Sequence, residues 1–201
     1  MDAPTTLIDL LRHGEPAGGS RFRGSVDDPL SATGWTQLAA ATADHAWDMI
    51  VCSPLRRCRE FAQALAAERG ADFRIDDDFR EIGFGLWEGL TAAQVQAEYG
   101  AALTRFWQDP VAHPPPLGEP VADFAARVEV AWQRLLTGAH GRRVLLVGHG
   151  GTIAMVLRSV LGMPLSHAWR VRLGYAGRAR VRLDHTEHGT LAALVGLTPG
   201  A

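Results

Sequence analysis

Cysteine is scarce in this 201-residue chain, which contains only Cys52 and Cys58. Two cysteines cannot form the dense disulfide framework of a small secreted domain, so we expect both thiols to be reduced and buried. An excess of one charge is also lacking, because 20 basic residues stand against 22 acidic ones and the net charge is −2. No strong field therefore attracts nucleic acid or an anionic membrane surface.

Long apolar runs are absent as well, and the longest fall far short of the roughly 20 residues of a membrane span. Near the N-terminus, Asp2, Asp9 and Arg12 interrupt any apolar segment, so we expect no signal peptide and a cytoplasmic location. The length and the hydrophobic content of 47% fit a single domain over residues 1–201.

Short apolar runs alternate with helical patterns along most of the chain. Strand-length runs occur at 7–11, 48–53 and 144–147. Amphipathic helical patterns occur at 31–45, 53–70, 119–136 and after 150, with Ser53 as a plausible cap of the second. The tail predicts a final hairpin or a pair of edge strands. This alternation predicts an α/β domain of three layers, in which helices flank a mostly parallel central sheet.

Residues from about 82 to 120 interrupt this alternation. They contain a glycine-aromatic turn at 83–89, a short helical pattern at 91–99 and a proline-rich stretch at 113–120. We expect a small helical and loop insertion that stands over one edge of the sheet as a lid or specificity element.

Two of the predicted strands end in a histidine followed by glycine. The segment "LIDLLRHGEP" carries Arg12 and His13, and "VLLVGHGG" carries His149 and Gly150. Ligands of open α/β sheets bind at the carboxyl ends of the strands, and Arg57, early in the helix after the middle strand, can lean back over the same edge. Two arginines, two histidines and a helix N-terminus are suited to a phosphate dianion.

Each of these features also has an ordinary structural explanation. A histidine at a strand end is usually hydrogen-bonded and structural, and the arginines of "RRCRE" usually form a solvated helix face. The convergence of independent segments on one edge outweighs these explanations. A metal site is disfavoured, because His13 and His149 lack carboxylate or cysteine partners at ligand spacing and arginines repel a cation. We expect His185 and His188 to be solvated in a polar turn.

Four segments occur in a fixed order over nearly the whole chain: "LLRHGEP", "SPLRRCREFAQAL", "FREIGFGLWEGL" and "VLLVGHGGT". Together they resemble the histidine phosphatase superfamily, the phosphoglycerate-mutase-like clan. The resemblance implies a phosphoglycerate-mutase-like fold. It also implies a phosphomonoester hydrolase that needs no metal or other cofactor and works through a phosphohistidine intermediate.

The family's motifs, carried over position by position, imply two sets of site residues. The catalytic set is His13 as nucleophile, Glu81 as proton donor, and Arg12, Arg57 and His149 around the phosphate. The substrate-binding set is Arg12, Arg57, His149, Gly150, Arg23 and Gly24. The serine-x-leucine-x-arginine pattern selects Arg57 rather than Arg56. Phosphoryl transfer needs mainly positioning and charge neutralisation, which these side chains supply.

Departures from the mutase branch bear on the substrate. The stretch "GEPAGGS" lacks an asparagine, and Gln108 and Asp109 stand where mutases carry an arginine pair that grips the substrate carboxylate. Hydrolysis is therefore expected rather than mutase activity. Several segments are similar to α-ribazole phosphatases of cobalamin biosynthesis, which implies α-ribazole 5′-phosphate as substrate.

Three alternatives to this specific substrate stay open: a broad small-molecule phosphatase, a phosphoglycerate mutase, and a non-enzymatic module that binds a phosphorylated partner. Intact His13 and Glu81 argue against the last of these, because binding alone requires neither a nucleophile nor a proton donor. We expect a small phosphorylated metabolite as the partner, with the choice between monomer and homodimer open.

Overall fold

The computed structural model describes residues 5–187 and 189–201. Strands within this part of the chain are β1 (Thr5–Arg12), β2 (Met49–Cys52), β3 (Asp72–Ile75), β4 (Arg143–Gly148), β5 (Arg178–Thr186) and β6 (Gly189–Thr198). The α-helices are α1 (Ala32–Thr42), α2 (Arg56–Arg69), α3 (Ala92–Gln108), α4 (Val121–Gly138) and α5 (Gly150–Val160). Short 3₁₀ turns lie at Asp77–Phe79, Gly85–Trp87 and Leu165–Arg170. His188 lies outside the described residues.

All six strands form one sheet in the order β3-β2-β4-β1-β5-β6. The first four are parallel to one another, whereas β5 is antiparallel to β1 and to β6. The sheet is therefore mixed, and the expectation of a mostly parallel sheet holds only for these four strands. The predicted final hairpin is confirmed as β5 and β6, and a connection this short can join only antiparallel neighbours.

Helices cover both faces of the sheet, which confirms the three layers. On one face, α4 and α5 pack Phe124, Val128 and Ile153 into the larger core with alternate residues of the strands. On the other face, α1 and α2 pack Leu38 and Phe61 into the second core. Cys52 and Cys58 are free thiols buried in this second core, as predicted.

Local chemistry fixes where the helices begin. Ser31 caps α1, since its hydroxyl accepts a hydrogen bond from the Gly34 N–H. The cap predicted for α2 is wrong: Leu55 is the N-cap residue, and its backbone N–H donates to the Ser53 hydroxyl instead. The consequence is that Ser53 stands free of the helix, beside His149.

The segment 82–120 builds a small core of its own around Trp87, Val95, Leu103 and Phe106. The short helix predicted at 91–99 is present and ends at a kink at Tyr99, and a second helical segment, which the sequence analysis did not predict, continues α3 as far as Gln108. Glycine at position 100 lowers helix propensity, but the buried Leu103 and Phe106 extend the apolar face beyond it. Packing of this face therefore overrides the local signal.

Two further expectations differ from the structure. The sequence gives no sign of β3, whose edge position leaves Asp72 and Arg74 exposed to solvent and breaks the apolar run. His185 lies in β5 rather than in a turn. Its ring bonds the hydroxyls of Thr6 and Thr190, so this histidine is fixed by protein partners.

Candidate active site

The nucleophile predicted from the sequence stands at the end of β1. Backbone pairing delivers it there, because the His13 N–H donates to the Gly148 carbonyl at the end of β4, at 2.9 Å. Its Nδ1 lies 2.7 Å from the Gly14 carbonyl oxygen. A carbonyl can only accept, so Nδ1 carries the proton and Nε2 keeps its lone pair. The backbone thus selects the nucleophilic tautomer of the ring.

The surroundings of His13 keep its ring neutral. Burial lowers the pKa of His13 well below its ordinary value, and the nearby guanidinium groups of Arg57 and Arg12 lower it further. Only a neutral imidazole offers a lone pair for attack. The same cations that would bind an anion therefore also maintain the reactive form of the histidine.

Arg12 and Arg57 are held by backbone carbonyls, and the buried Nε donor of each is unpaired. Arg12 donates to the Leu173 carbonyl at 2.6 Å, and Arg57 donates to the carbonyls of Val26 and Gly24 at 2.7 and 3.0 Å. The buried Nε atoms of both arginines have no hydrogen-bond partner in the described part of the chain. Buried unpaired donors on two converging cations suit an oxyanion.

The two neighbouring arginines of α2 have opposite environments, as the family pattern predicts. The Arg57 residue is 1% exposed and lines the cavity beside His13. The Arg56 side chain is 44% exposed and pairs with Glu60 on the same helix at 2.7 Å. The helical period turns adjacent residues about 100° apart, so only one of them can reach the site.

Glu81 lies across the cavity from the arginines, on the segment that follows the first 3₁₀ turn. Its carboxyl oxygens accept hydrogen bonds from the N–H groups of Ile82 and Gly151, both at 3.1 Å. Glycine is required at 151, because a Cβ there would overlap the Glu81 carboxyl. Close approach of α5 thus fixes the orientation of this carboxyl group.

A clamp that the sequence analysis missed holds the Glu81 segment. Arg127 on α4 donates to the carbonyls of Asp78, Arg80 and Glu81 at 2.8, 2.9 and 3.0 Å. It also forms a bidentate pair with the Glu119 carboxylate at 2.6 and 2.8 Å. One guanidinium therefore ties the backbone of residues 78–81 to α4. We name this group the Arg127 clamp.

His149 reaches the nucleophile but not the cavity wall. It is fully buried, and its ring centre is 5.3 Å from that of His13 in an edge-on arrangement. Its Nε2 lies 2.7 Å from the Ser53 hydroxyl, and Cys58 lies beside the same ring. Burial, followed by Arg57, lowers the pKa of His149 well below its ordinary value. The prediction that His149 binds the phosphate therefore depends on its position beside the His13 ring, because His149 is not among the described residues that line the cavity.

Arg23 and Gly24, predicted to bind substrate, line the cavity and also support it. The Arg23 guanidinium is engaged by Asp28 and by the carbonyls of Ala17 and Gly19. Gly24 has φ +46°, in the left-handed region that favours glycine, and this turn aims its carbonyl at Arg57. These two residues shape the loop that holds the phosphate-facing arginine.

Glu88 anchors the other side of this loop. Its carboxylate accepts from the N–H groups of Phe84 and Ser25, both at 2.9 Å, and from the Ser25 hydroxyl at 2.6 Å. With three donors committed to one carboxylate, Glu88 joins the loop after β1 to the insertion. It is a less suitable acid than Glu81.

Tyr175 forms the remaining wall. Its ring lies under the Arg12 guanidinium at 4.5 Å and beside the His13 ring at 5.8 Å. The backbone of Tyr175 is paired in both directions with Ala201, at 3.0 Å each, and the neighbouring Gly174 N–H donates to Pro199 at 2.6 Å. Residues 199–201 therefore hold the wall in place.

These elements enclose a cavity of about 450 Å³. Residues from the insertion contribute Phe84, Ala92 and Trp107 to its wall. A second cavity of about 460 Å³ adjoins it and shares Trp107, Trp169 and Arg172. A neutral nucleophilic ring, two arginines with unpaired donors and a facing carboxyl group suit transfer of a phosphoryl group.

Two features of the described residues bear on other functions. In residues 5–187 and 189–201, no group of three or more histidine, cysteine or acidic residues is placed to hold a metal ion. None of the helices in the same ranges is both long enough and apolar enough to cross a membrane.

Comparison with known proteins agrees with the geometry. Residues 8–195 match the model of the histidine phosphatase superfamily (branch 1). A glucosyl-3-phosphoglycerate phosphatase from Mycolicibacterium vanbaalenii is 37% identical over 191 residues, covering 88% of this chain and 84% of the relative. The adenosylcobalamin/alpha-ribazole phosphatase of Escherichia coli is 29% identical over 172 residues, covering 82% and 83%.

Other relatives are longer than this chain. The chain spans only 49% of three mycobacterial proteins that are 36% identical to it over 179 residues, among them the bifunctional protein Rv2228c of Mycobacterium tuberculosis. Among solved structures, the mycobacterial glucosyl-3-phosphoglycerate phosphatase Rv2419c superposes with a TM-score of 0.84 at 29% identity, covering 98% of this chain and all of that one. That phosphatase has also been solved with VO3 and with inorganic phosphate.

Proposed function

We propose, from the premise that this chain belongs to the histidine phosphatase superfamily (branch 1), that it hydrolyses phosphate monoesters through a phosphohistidine on His13 without a metal. Membership of this superfamily and the named phosphatase relatives support phosphatase activity. One observation carries the rest: His13 presents a neutral Nε2 beside two arginines whose buried Nε atoms lack partners.

In the first step, His13 Nε2 attacks phosphorus, the ester P–O bond breaks, and Glu81 protonates the leaving oxygen. In the second step, Glu81 takes a proton from water as the water oxygen attacks phosphorus. The P–N bond then breaks, which releases phosphate and returns neutral His13. Glu81 ends protonated, ready for the next ester.

Charge on the phosphoryl oxygens is neutralised by Arg12 and Arg57. We assign the Gly150 N–H to the same oxygens, because Gly150 begins α5 and lines the cavity beside Arg12. We assign His149 to the phosphoryl group carried on His13, since the two rings are 5.3 Å apart. Arg23 and Gly24 act by shaping the loop.

The body of the substrate remains a matter of proposal. Resemblance in the sequence favours α-ribazole 5′-phosphate, with broad specificity as the alternative. The higher identity to glucosyl-3-phosphoglycerate phosphatases, 37% against 29%, favours a glycosylated phosphate ester as a second candidate. We propose a cytoplasmic enzyme of one domain over residues 1–201, in which the insertion at about 82–120 governs access and specificity.

The decisive experiment combines turnover with trapping. The wild-type protein should hydrolyse p-nitrophenyl phosphate, and acid-labile phosphate should appear on His13 during turnover. His13→Ala should abolish both while the circular dichroism spectrum stays native, because the hydrogen bond of the ring is made to the adjacent Gly14 carbonyl and joins no two elements of the fold. Substantial turnover by His13→Ala would contradict the mechanism.

Glu81→Gln tests the proton donor. It should slow alkyl phosphates far more than p-nitrophenyl phosphate, because an activated phenolate leaves without a proton. Equal slowing of both esters in the phosphoenzyme burst would show that another group supplies the proton. A panel of phosphorylated metabolites, with α-ribazole 5′-phosphate beside 3-phosphoglycerate, then separates the substrate candidates.

A further inference from the structure

Five arginines line the cavity at His13, and four of them are committed. Arg12 and Arg57 face the phosphate position, Arg23 is engaged by Asp28 and two carbonyls, and Arg21 donates to the carbonyls of Gly18 and Gly89. The fifth, Arg172, is exposed and makes no side-chain hydrogen bond or ion pair with any described residue. Its cationic donors are therefore available to a ligand.

The position of Arg172 is distinct from that of the phosphate arginines. Its guanidinium lies 5.6 Å from the ring centre of Trp107, within the range of a cation–π contact. Trp107 is 50% exposed, and its ring and that of Trp169 both lie against the buried Phe106. Arg172 and the two tryptophans form the boundary between the two cavities. We name this group the boundary triad.

The second cavity extends the site beyond what a phosphate needs. Each cavity has the volume of a site for a whole small molecule. Gln108, Ser166 and Arg170 line the second one, and none of its described lining residues is acidic. Glu81 is the only acidic lining residue of the first within the same ranges. Glu81 forms no ion pair with Arg172, so no described acidic residue of either wall is paired with this guanidinium.

We propose that the boundary triad is a subsite for the part of the substrate beyond the reacting phosphate. In this subsite Arg172 binds a second anionic group of the substrate, and Trp107 and Trp169 contact a ring of the substrate. The inference rests on the proposed function and narrows its substrate class to phosphate esters that carry a distal carboxylate or phosphate. It also changes the conclusion, drawn from Gln108 and Asp109, that the site lacks a cation for a second anionic group. Gln108 and Asp109 do not line the cavity at His13, and Arg172, from another segment, supplies the positive charge.

Matched substrates test this subsite. We would compare kcat/KM for 2-O-glucosyl-3-phosphoglycerate with that for 2-O-glucosylglycerol 3-phosphate, which replaces the carboxylate by a neutral hydroxymethyl group. A second pair is fructose 1,6-bisphosphate and fructose 6-phosphate. Each value is divided by the turnover of p-nitrophenyl phosphate by the same variant. The pair with the larger ratio identifies the second anion as carboxylate or phosphate.

Arg172→Gln should lower the ratio of charged to neutral substrate by about tenfold to a hundredfold, the effect of one charge-assisted contact. Arg172→Lys should restore part of it, because the charge returns without the planar fork. Arg105→Gln is the control, since Arg105 is exposed on α3 and lines neither cavity. A ratio near one in the wild type, or one that Arg172→Gln leaves unchanged, would overturn the subsite.

Binding measured by calorimetry on His13→Ala separates the two proposals. The same substrate pairs should show the Arg172-dependent preference in Kd without any turnover. A wild-type protein that hydrolyses nothing but binds with this preference would refute the proposed function and support the subsite. Hydrolysis of every ester without this preference would support the proposed function and refute the subsite.

Discussion

Replacing Arg127 should impair protonation of the leaving group while phosphate binding, the other function of the active site, is kept. Arg127 touches neither His13 nor the phosphate arginines; its donors go to the Glu81 segment and to Glu119. Loss of the Arg127 clamp should let the Glu81 carboxyl shift. A displacement of about 1 Å can cost about a hundredfold in rate, and general acid catalysis as a whole supplies about 10²- to 10⁴-fold.

The stability effect can be set against a matched arginine on the same helix. The Arg127 side chain is 12% exposed and its partner Glu119 is 21% exposed, so removing it breaks a largely buried pair, at a cost of about 3–5 kcal/mol. Arg134, two turns later on α4, is 51% exposed and pairs with Asp76 and Asp78. Arg134→Ala should cost below about 1 kcal/mol.

The assay is the ratio of kcat/KM for an alkyl phosphate to that for p-nitrophenyl phosphate, with urea unfolding measured beside it. Arg127→Lys should lower this ratio by about a hundredfold. The variant should remain folded, because lysine keeps the positive charge but lacks the planar guanidinium that binds several acceptors at once. Arg134→Ala should keep the wild-type ratio. If Arg127→Lys lowers kcat/KM equally for both esters, or for neither, the Arg127 clamp does not position the acid Glu81.

Three further predictions follow from the same cavity. Arg57→Ala should lower kcat for p-nitrophenyl phosphate by about 10²- to 10³-fold or more, whereas Arg56→Ala should stay within about twofold; a larger effect of Arg56 would shift the assignment by one residue. Neutral His13 and His149 bind no proton in the folded state, whereas unfolded histidine does below about pH 6.5. Their lowered pKa values therefore predict an unfolding free energy that is full above about pH 6.5 and falls by up to about 1.4 kcal/mol per pH unit for each ring below it; urea midpoints that stay flat down to about pH 5 would contradict this. Chelators should leave turnover unchanged and vanadate should inhibit it, and loss of activity on chelation that a divalent metal restores would refute the metal-free mechanism.

Sequence reasoning reached the centre of the site because its signals are local. His13 and Arg57 follow apolar strands at fixed short distances, and strand ends meet at one edge of a sheet whatever surrounds them. The parallel part of the sheet follows from the same alternation. The sequence did not predict the antiparallel pairing of β5 with β1, because the apolar alternation of a strand does not specify its neighbour. It also did not predict the edge strand β3, because its exposed residues leave no apolar run.

The residues that hold the site were harder to find. Tyr175 and Arg172 lie in a loop with no regular pattern, and only tertiary packing brings them to the cavity. Arg127 did leave a signal: it stands three residues after Phe124 and four before Ala131, on the buried stripe of α4. A charged residue on the apolar face of a helix needs a fixed partner. That rule would have singled it out.

The pairing of residues 199–201 with the loop at Tyr175 makes turnover depend on backbone far along the chain from the nucleophile. A change that displaces this segment would leave His13, Arg12 and the phosphate arginine of α2 chemically intact. Tyr175 would lose both backbone bonds to Ala201, and Arg12 would lose the aromatic ring that its guanidinium contacts. Binding of phosphate would then weaken although every side chain that touches it is still present.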